Sequence, residues 1–107
     1  MIRVEFGCGT GFDWDNKPLP PEHVDGALDV ILRNAARIWG GGNFVRGYGF
    51  WKNPKGDLVV EPSCTLVVDV ESLLKGDVTY MVGLIKGELR QHSIHVVEIP
   101  LAHTENI

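Results

Sequence analysis

Two periodicities take turns along the chain. Ile2-Arg3-Val4-Glu5-Phe6 alternates apolar and polar residues with period two, which predicts a strand, and Gly7, Gly9 and Gly11 end it in a flexible connection. Residues 12–21 carry three prolines among acid and amide side chains and predict an irregular loop. From Glu22 to Trp39 the spacing turns helical. Val24, Ala27, Leu28, Ile31, Leu32, Ala35, Ile38 and Trp39 form an apolar stripe, with Asp25, Asp29, Arg33 and Arg37 on the other side. Pro20-Pro21 pre-sets the start of that helix and Gly40-Gly41-Gly42 stops it.

Aromatic and β-branched residues from Phe44 to Trp51, turn chemistry in Asn53-Pro54-Lys55-Gly56, and an apolar run from Leu58 to Val70 predict an antiparallel hairpin. Pro62 cannot donate a ladder hydrogen bond, so a bulge or a local sheet edge is expected there. Val78, Met81, Val82, Ile85 and Leu89 predict a second helix from about Gly76 or Asp77 to Leu89, weakened by Gly83 and Gly87. Ser93 to Ile99 alternates again as a last strand, and residues 100–107 read as a C-terminal tail.

The order βαββαβ in a single domain over residues 1–107 predicts an α+β ferredoxin-like sandwich, a four-stranded antiparallel sheet with two helices on one face. The other face then lacks cover. Val, Phe and Trp side chains on both faces of the strands predict burial of that second face against copies of the chain, a trimer being the favoured homo-oligomer.

Composition narrows the class. The chain has 107 residues, 44% of them apolar and 22% charged, the range of an ordinary globular domain. Its net charge is −4 and its lysines and arginines are dispersed, so no nucleic-acid partner is expected. No apolar run is long enough to span a bilayer and MIRVEFGCG is unlike a signal peptide, which predicts a cytoplasmic protein with no membrane partner. Cys8 and Cys64, outside any Cys-x-x-Cys arrangement, read as buried free thiols rather than a disulfide scaffold.

Few residues stand out chemically. Gly7-Cys8-Gly9-Thr10-Gly11 resembles a phosphate-binding loop, but the following prolines replace the helix such a loop needs, so a turn or a close approach of backbone to ligand is the better expectation. His23, His92, His95 and His103 lack zinc-ligand spacing and no metal is expected. Asp13 and Asp15 are a solvated loop or an acidic rim. Glu61 is different, because a carboxylate in an apolar strand pays desolvation unless it meets a cation or donors. It faces water, pairs with a lysine across the hairpin, or waits for a positively charged ligand. Tyr48, Phe50 and Trp51 read as core residues or as an aromatic platform.

Trp51-x4-Gly56-x4-Glu61-Pro62-Ser63, with Gln91-x-Ser93-Ile94 further on, resembles an uncharacterised family of short bacterial α/β proteins. More distantly, Gly49-Phe50-Trp51, Glu61, the strand Thr65 to Val70 and Gln91 resemble the phage S-adenosylmethionine lyases, with Trp51 where that family has a tyrosine. The second resemblance implies cleavage of S-adenosylmethionine to methylthioadenosine and homoserine lactone by the substrate's own carboxylate. It needs no cofactor. Glu61 and Trp51 would be the catalytic residues, and Tyr48, Gly9, Thr10 and Gln91 would bind the substrate. The alternative is a non-catalytic trimeric module that binds a nucleotide-like metabolite, or a family protein of unassigned function.

Overall fold

Period two places Ile2, Val4 and Phe6 on one side of a strand, and in the computed structural model, which describes residues 1–102, that strand is β1, Ile2–Gly9. It is followed by helix α1 (Pro21–Trp39), strands β2 (Asn43–Lys52) and β3 (Leu58–Val70), helix α2 (Lys75–Leu89) and strand β4 (His95–Pro100). The sheet order is β2-β3-β1-β4, antiparallel throughout, and the fold is the ferredoxin-like α+β sandwich expected from the element order.

The core lies between the sheet and the two helices. Val4, Phe6, Leu66 and Val68 from the sheet meet Val24, Ala27, Ile31 and Ala35 of α1 and Met81, Ile85 and Leu89 of α2. Each side chain fully withdrawn from water contributes about 1.5–3 kcal/mol, so this layer supplies the main driving force. Phe6 packs on Trp39 with ring centroids 5.7 Å apart, and the His23 imidazole donates from Nε2 to the Glu88 carbonyl at 2.8 Å, tying α1 to the end of α2.

Boundaries differ from expectation where backbone rather than side chains decides. β1 does not stop at Phe6. Gly7, Cys8 and Gly9 stay in register with Thr65, Cys64 and Ser63 of β3, because ladder hydrogen bonds need no side chain. α2 begins at Lys75, capped by no side chain, with the Asp77 amide bonded to the Leu74 carbonyl at 3.1 Å. β4 starts at His95 rather than Ser93, since Gln91 and His92 are occupied with the β1–α1 loop. Pro100 belongs to β4 and the Leu101 amide bonds Met1, so the expected tail is partly strand; His103 lies outside the described residues.

Pro62 makes no bulge, and the β2–β3 register runs unbroken from Asn43↔Val67 to Lys52↔Leu58. The Pro62 carbonyl accepts the Thr10 amide at 2.8 Å. N and C=O of a strand residue point the same way, so the missing N–H faces the side where β1 has just ended. The proline therefore sits at a local sheet edge. From there outward β2 and β3 continue alone, and this overhanging ribbon carries Tyr48, Phe50, Trp51, Leu58 and Val60 at 76, 77, 45, 71 and 55% exposure. Nothing within the described chain covers them.

The link from α1 to β2 is tight at one point. A methyl group on Gly42 would meet the Val67 carbonyl oxygen and approach Val68 Cγ1 to 2.9 Å, whereas one on Gly41 would enter open space. Gly42→Ala is expected to cost about 1–3 kcal/mol in urea unfolding and Gly41→Ala no more than about 0.5 kcal/mol. Equal midpoints for the two variants would contradict this packing.

Candidate functional site

Glycine at every second position of a strand strips one face bare, and here two strands do so side by side. On the sheet face away from the helices, Gly7 and Gly9 of β1 lie opposite Thr65 and Ser63, and Gly47 and Gly49 of β2 lie opposite Ser63 and Glu61. Gly11, just past the end of β1, lies 3.5 Å from Glu61 Cβ, measured from the position a side chain would take. Glu61, Ser63 and Thr65 thus form a polar row in a trough whose walls have no side chains. Trp51 shares this face and is the diagonal cross-strand neighbour of Glu61, a spacing within reach of an aromatic ring.

The Glu61 side chain leans toward β1. A Cβ on Gly9 would collide with its Oε1 and lie 2.8 Å from Cδ, so only glycine leaves the carboxylate this position. The lysine across the hairpin weighed from the sequence is not there, because Gly49 is the facing residue. Among the described residues the ion pairs are Arg3–Asp69, Arg33–Asp29 and Arg46–Asp25, and none involves Glu61. Half-buried without a cation, its carboxyl is pushed above the usual range by desolvation.

The other face of the overhang holds two adjoining clefts. One, of about 370 Å³, lies between α1 and the ribbon and is lined by Thr10, Phe12, Leu19, Val24, Arg46 and Val60. The second, of about 420 Å³, is lined by Thr10, Arg46, Tyr48 and Ser63 among others. Volumes of this order suit a small molecule. Among the described residues Thr10 is the buried polar one, at 5% exposure. Gly11 lines the first cleft while touching Glu61, so residues 9–11 are a thin wall between the clefts and the trough.

The structure therefore divides the residues expected from sequence. Gly9, Glu61 and Trp51 share the trough face, Thr10 and Tyr48 line the cleft on the other side, and Gln91 is set apart from both. The Gln91 side-chain amide donates to the carbonyls of Phe12 at 2.7 Å and Leu89 at 2.9 Å, and His92 donates to the Trp14 carbonyl at 2.7 Å; together they strap down the β1–α1 loop. Inside that loop Asp13 accepts the amides of Asp15 and Lys17, which hold its carboxyl below the usual range. The glycine run is strand through Gly9, not a phosphate loop. Among the described residues no three His, Cys, Asp or Glu side chains gather as metal ligands, and no helix is long and apolar enough to cross a membrane. Arg46 was not singled out from sequence, and Gly11 and Gly49 stood there only within longer motifs; the period-two spacing of the glycines was the available signal.

No known family model matches the chain, and no curated protein does. Solved structures share its fold. A phage SAM lyase in complex with S-methyl-5'-thioadenosine superposes with a TM-score of 0.58 at 24% identity, over 92% of this chain and 79% of its own. The divalent cation tolerance protein CutA from Thermus thermophilus gives 0.59 at 13% identity over 98% and 88%. The PII-like protein CutA from Nostoc gives 0.51 at 17% identity over 95% and 82%. The chain is similar to both groups at the level of fold.

A carboxyl raised by folding contributes stability below the ordinary carboxylate range and loses it as pH rises through the shifted value. Glu61→Gln is therefore expected to raise the thermal midpoint by a few degrees at pH 7, with the gain vanishing below about pH 4. A destabilised variant at pH 7 would mean that Glu61 has a partner in the folded protein.

Proposed function

We propose that the chain binds S-adenosylmethionine, with the sulfonium or the α-ammonium group over Glu61, and cleaves it to methylthioadenosine and homoserine lactone. The observation that carries this reading is a half-buried carboxylate with no cation beside it among the described residues, set among glycines that leave room for a ligand. The fold it shares with a phage SAM lyase supports it.

In this reaction a carboxylate oxygen of the substrate attacks its own Cγ, the C–S bond breaks, and the electron pair leaves on sulfur as a neutral thioether. The protein need supply neither base nor cofactor. Attraction between Glu61 and the sulfonium favours binding but opposes a step that removes the charge. Acceleration must come from holding the substrate folded for attack, an effect that reaches roughly 7–11 kcal/mol in favourable intramolecular reactions. Trp51 would offer its ring face to the cation, worth about 0.5–2 kcal/mol. A bare stretch of backbone at Gly9 lets a flat group lie against the sheet, and Thr10 and Tyr48, on the opposite face, would reach that ligand only from another copy. Gln91, with its amide protons occupied, would act by positioning the Phe12 loop.

The overhanging ribbon belongs to the same reading. A patch formed by Tyr48, Phe50, Leu58 and Val60 is of the kind that marks an interface. Its cover would be another copy, a trimer in a cytoplasmic protein, docked on the ribbon face opposite the trough. The second reading, a non-catalytic trimeric module for a nucleotide-like metabolite, draws on the equal likeness to CutA and PII-like structures.

Incubation with S-adenosylmethionine is expected to yield methylthioadenosine and homoserine lactone, and Glu61→Gln to lower that rate by at least about tenfold, roughly 1.4 kcal/mol. Binding without turnover would favour the module. Affinity for the cationic substrate is expected to fall as pH drops through the raised Glu61 range, while affinity for uncharged methylthioadenosine stays level in titration calorimetry. Phe50→Asp is expected to reduce the native mass to that of a single chain; an unchanged mass would remove the ribbon from the interface.

A further inference from the structure

Cys8 of β1 and Cys64 of β3 face each other across the ladder, on the helix side of the sheet, with Sγ atoms 3.8 Å apart. Neither takes part in the proposed reaction. The Thr10 amide bonds the Pro62 carbonyl two residues along, and the alternation of an antiparallel ladder makes Cys8 and Cys64 the same hydrogen-bonded kind of pair. Such pairs have Cα atoms about 5.5 Å apart, inside the range of disulfides, but their Cβ atoms stand wider than the roughly 3.8 Å a relaxed disulfide takes. A bond formed here is closable and strained, hence readily reduced.

We propose that Cys8 and Cys64 are a reversible redox pair, oxidised by a hydroperoxide to an intrachain disulfide. Cys64 is the attacking sulfur. The two sulfurs are within weak hydrogen-bond distance, and Arg46, the cross-strand partner of Cys64 on β2, adds positive charge that favours a thiolate at Cys64. The Cys64 thiolate attacks one peroxide oxygen; an S–O bond forms, the O–O bond breaks, and the departing oxygen leaves as water after taking a proton. The Cys8 sulfur then attacks the sulfenic sulfur. The S–S bond forms, the S–O bond breaks, and hydroxide leaves as a second water with the Cys8 proton. Two thiols lose two electrons and one hydrogen peroxide becomes two waters. Cys8 adjoins Gly9, which rests against the Glu61 carboxylate, so closing the sulfurs from 3.8 Å to about 2.05 Å acts on the wall of the trough.

The folded protein, treated with hydrogen peroxide and then denatured for thiol titration, is expected to lose both thiols together. Its intact mass should fall by two hydrogens with no cross-linked dimer, and glutathione should restore both thiols. Cys8→Ser is expected to leave a Cys64 sulfenic acid that dimedone traps, and Cys64→Ser to slow oxidation of Cys8 at least tenfold. Two thiols surviving on the folded chain under conditions that oxidise the unfolded chain would overturn the proposal. So would separate oxidation of each sulfur, or cross-linking only between chains. The wild-type measurement decides the matter even where a serine variant fails to fold.

Discussion

Most of what distinguishes this chain follows from β1 stopping at Gly9 while β2 and β3 run on. Up to that point β3 has a partner on each side and both helices above it. Beyond it, β3 is half of a two-stranded ribbon, an arrangement barely stable in water by itself. The truncation makes room for Pro62, opens the cleft between α1 and the ribbon, and leaves five large apolar side chains without cover. It also brings Gly11 beside Glu61, where a longer β1 would have placed another ladder residue. One strand length therefore sets both where the clefts open and where large apolar side chains are left uncovered.

Glu61 sits where the sheet gives up stability. The helix face of the sheet holds its polar groups to a minimum, and among the described residues Thr10 alone of the polar ones is buried. On the other face Glu61 is half-buried against backbone with no ion-pair partner among the described residues, and desolvation pushes its carboxyl above the usual range. Glycines on both flanks deepen the loss, since they add chain entropy to the unfolded state and no packing to the folded one. Local choices that weaken a strand, repeated at Gly7, Gly9, Gly47 and Gly49, are expected where the bare surface itself has a use.

The fold was legible because its signals are carried by side chains: the Val24-to-Trp39 stripe could only be a helix, and the alternations in β1 and β3 could only face a core. The ends were less so, because β1 continues through glycines on backbone bonds alone and periodicity cannot register a residue without a side chain. The anomaly of Glu61 was visible as a charge in an apolar run. Its neighbours were not, because a site assembled from absent side chains leaves only a spacing as its trace. Tyr48 and Trp51, three residues apart in one strand, necessarily point to opposite faces, so reading both as walls of a single pocket within one chain conflicts with strand geometry; only an assembly could bring such groups together. The opposition of Cys8 and Cys64 likewise needed the β1–β3 register, which no count along the chain supplies.

Under the proposed reading, assembly and ligand binding become linked requirements. Covering the ribbon with a second copy would withdraw apolar area from water, which favours association. A copy that also covered Trp51, on the trough face, would withdraw Glu61 further, and a carboxylate buried without a counter-charge costs several kcal/mol or takes up a proton. The two effects oppose each other unless a cation occupies the trough. A positively charged ligand resolves the conflict by pairing with the carboxylate while the apolar contacts close over it, so under the proposed reading the ligand binds the assembled form better than the open one. By linkage, whatever favours assembly then favours the ligand by an equal factor.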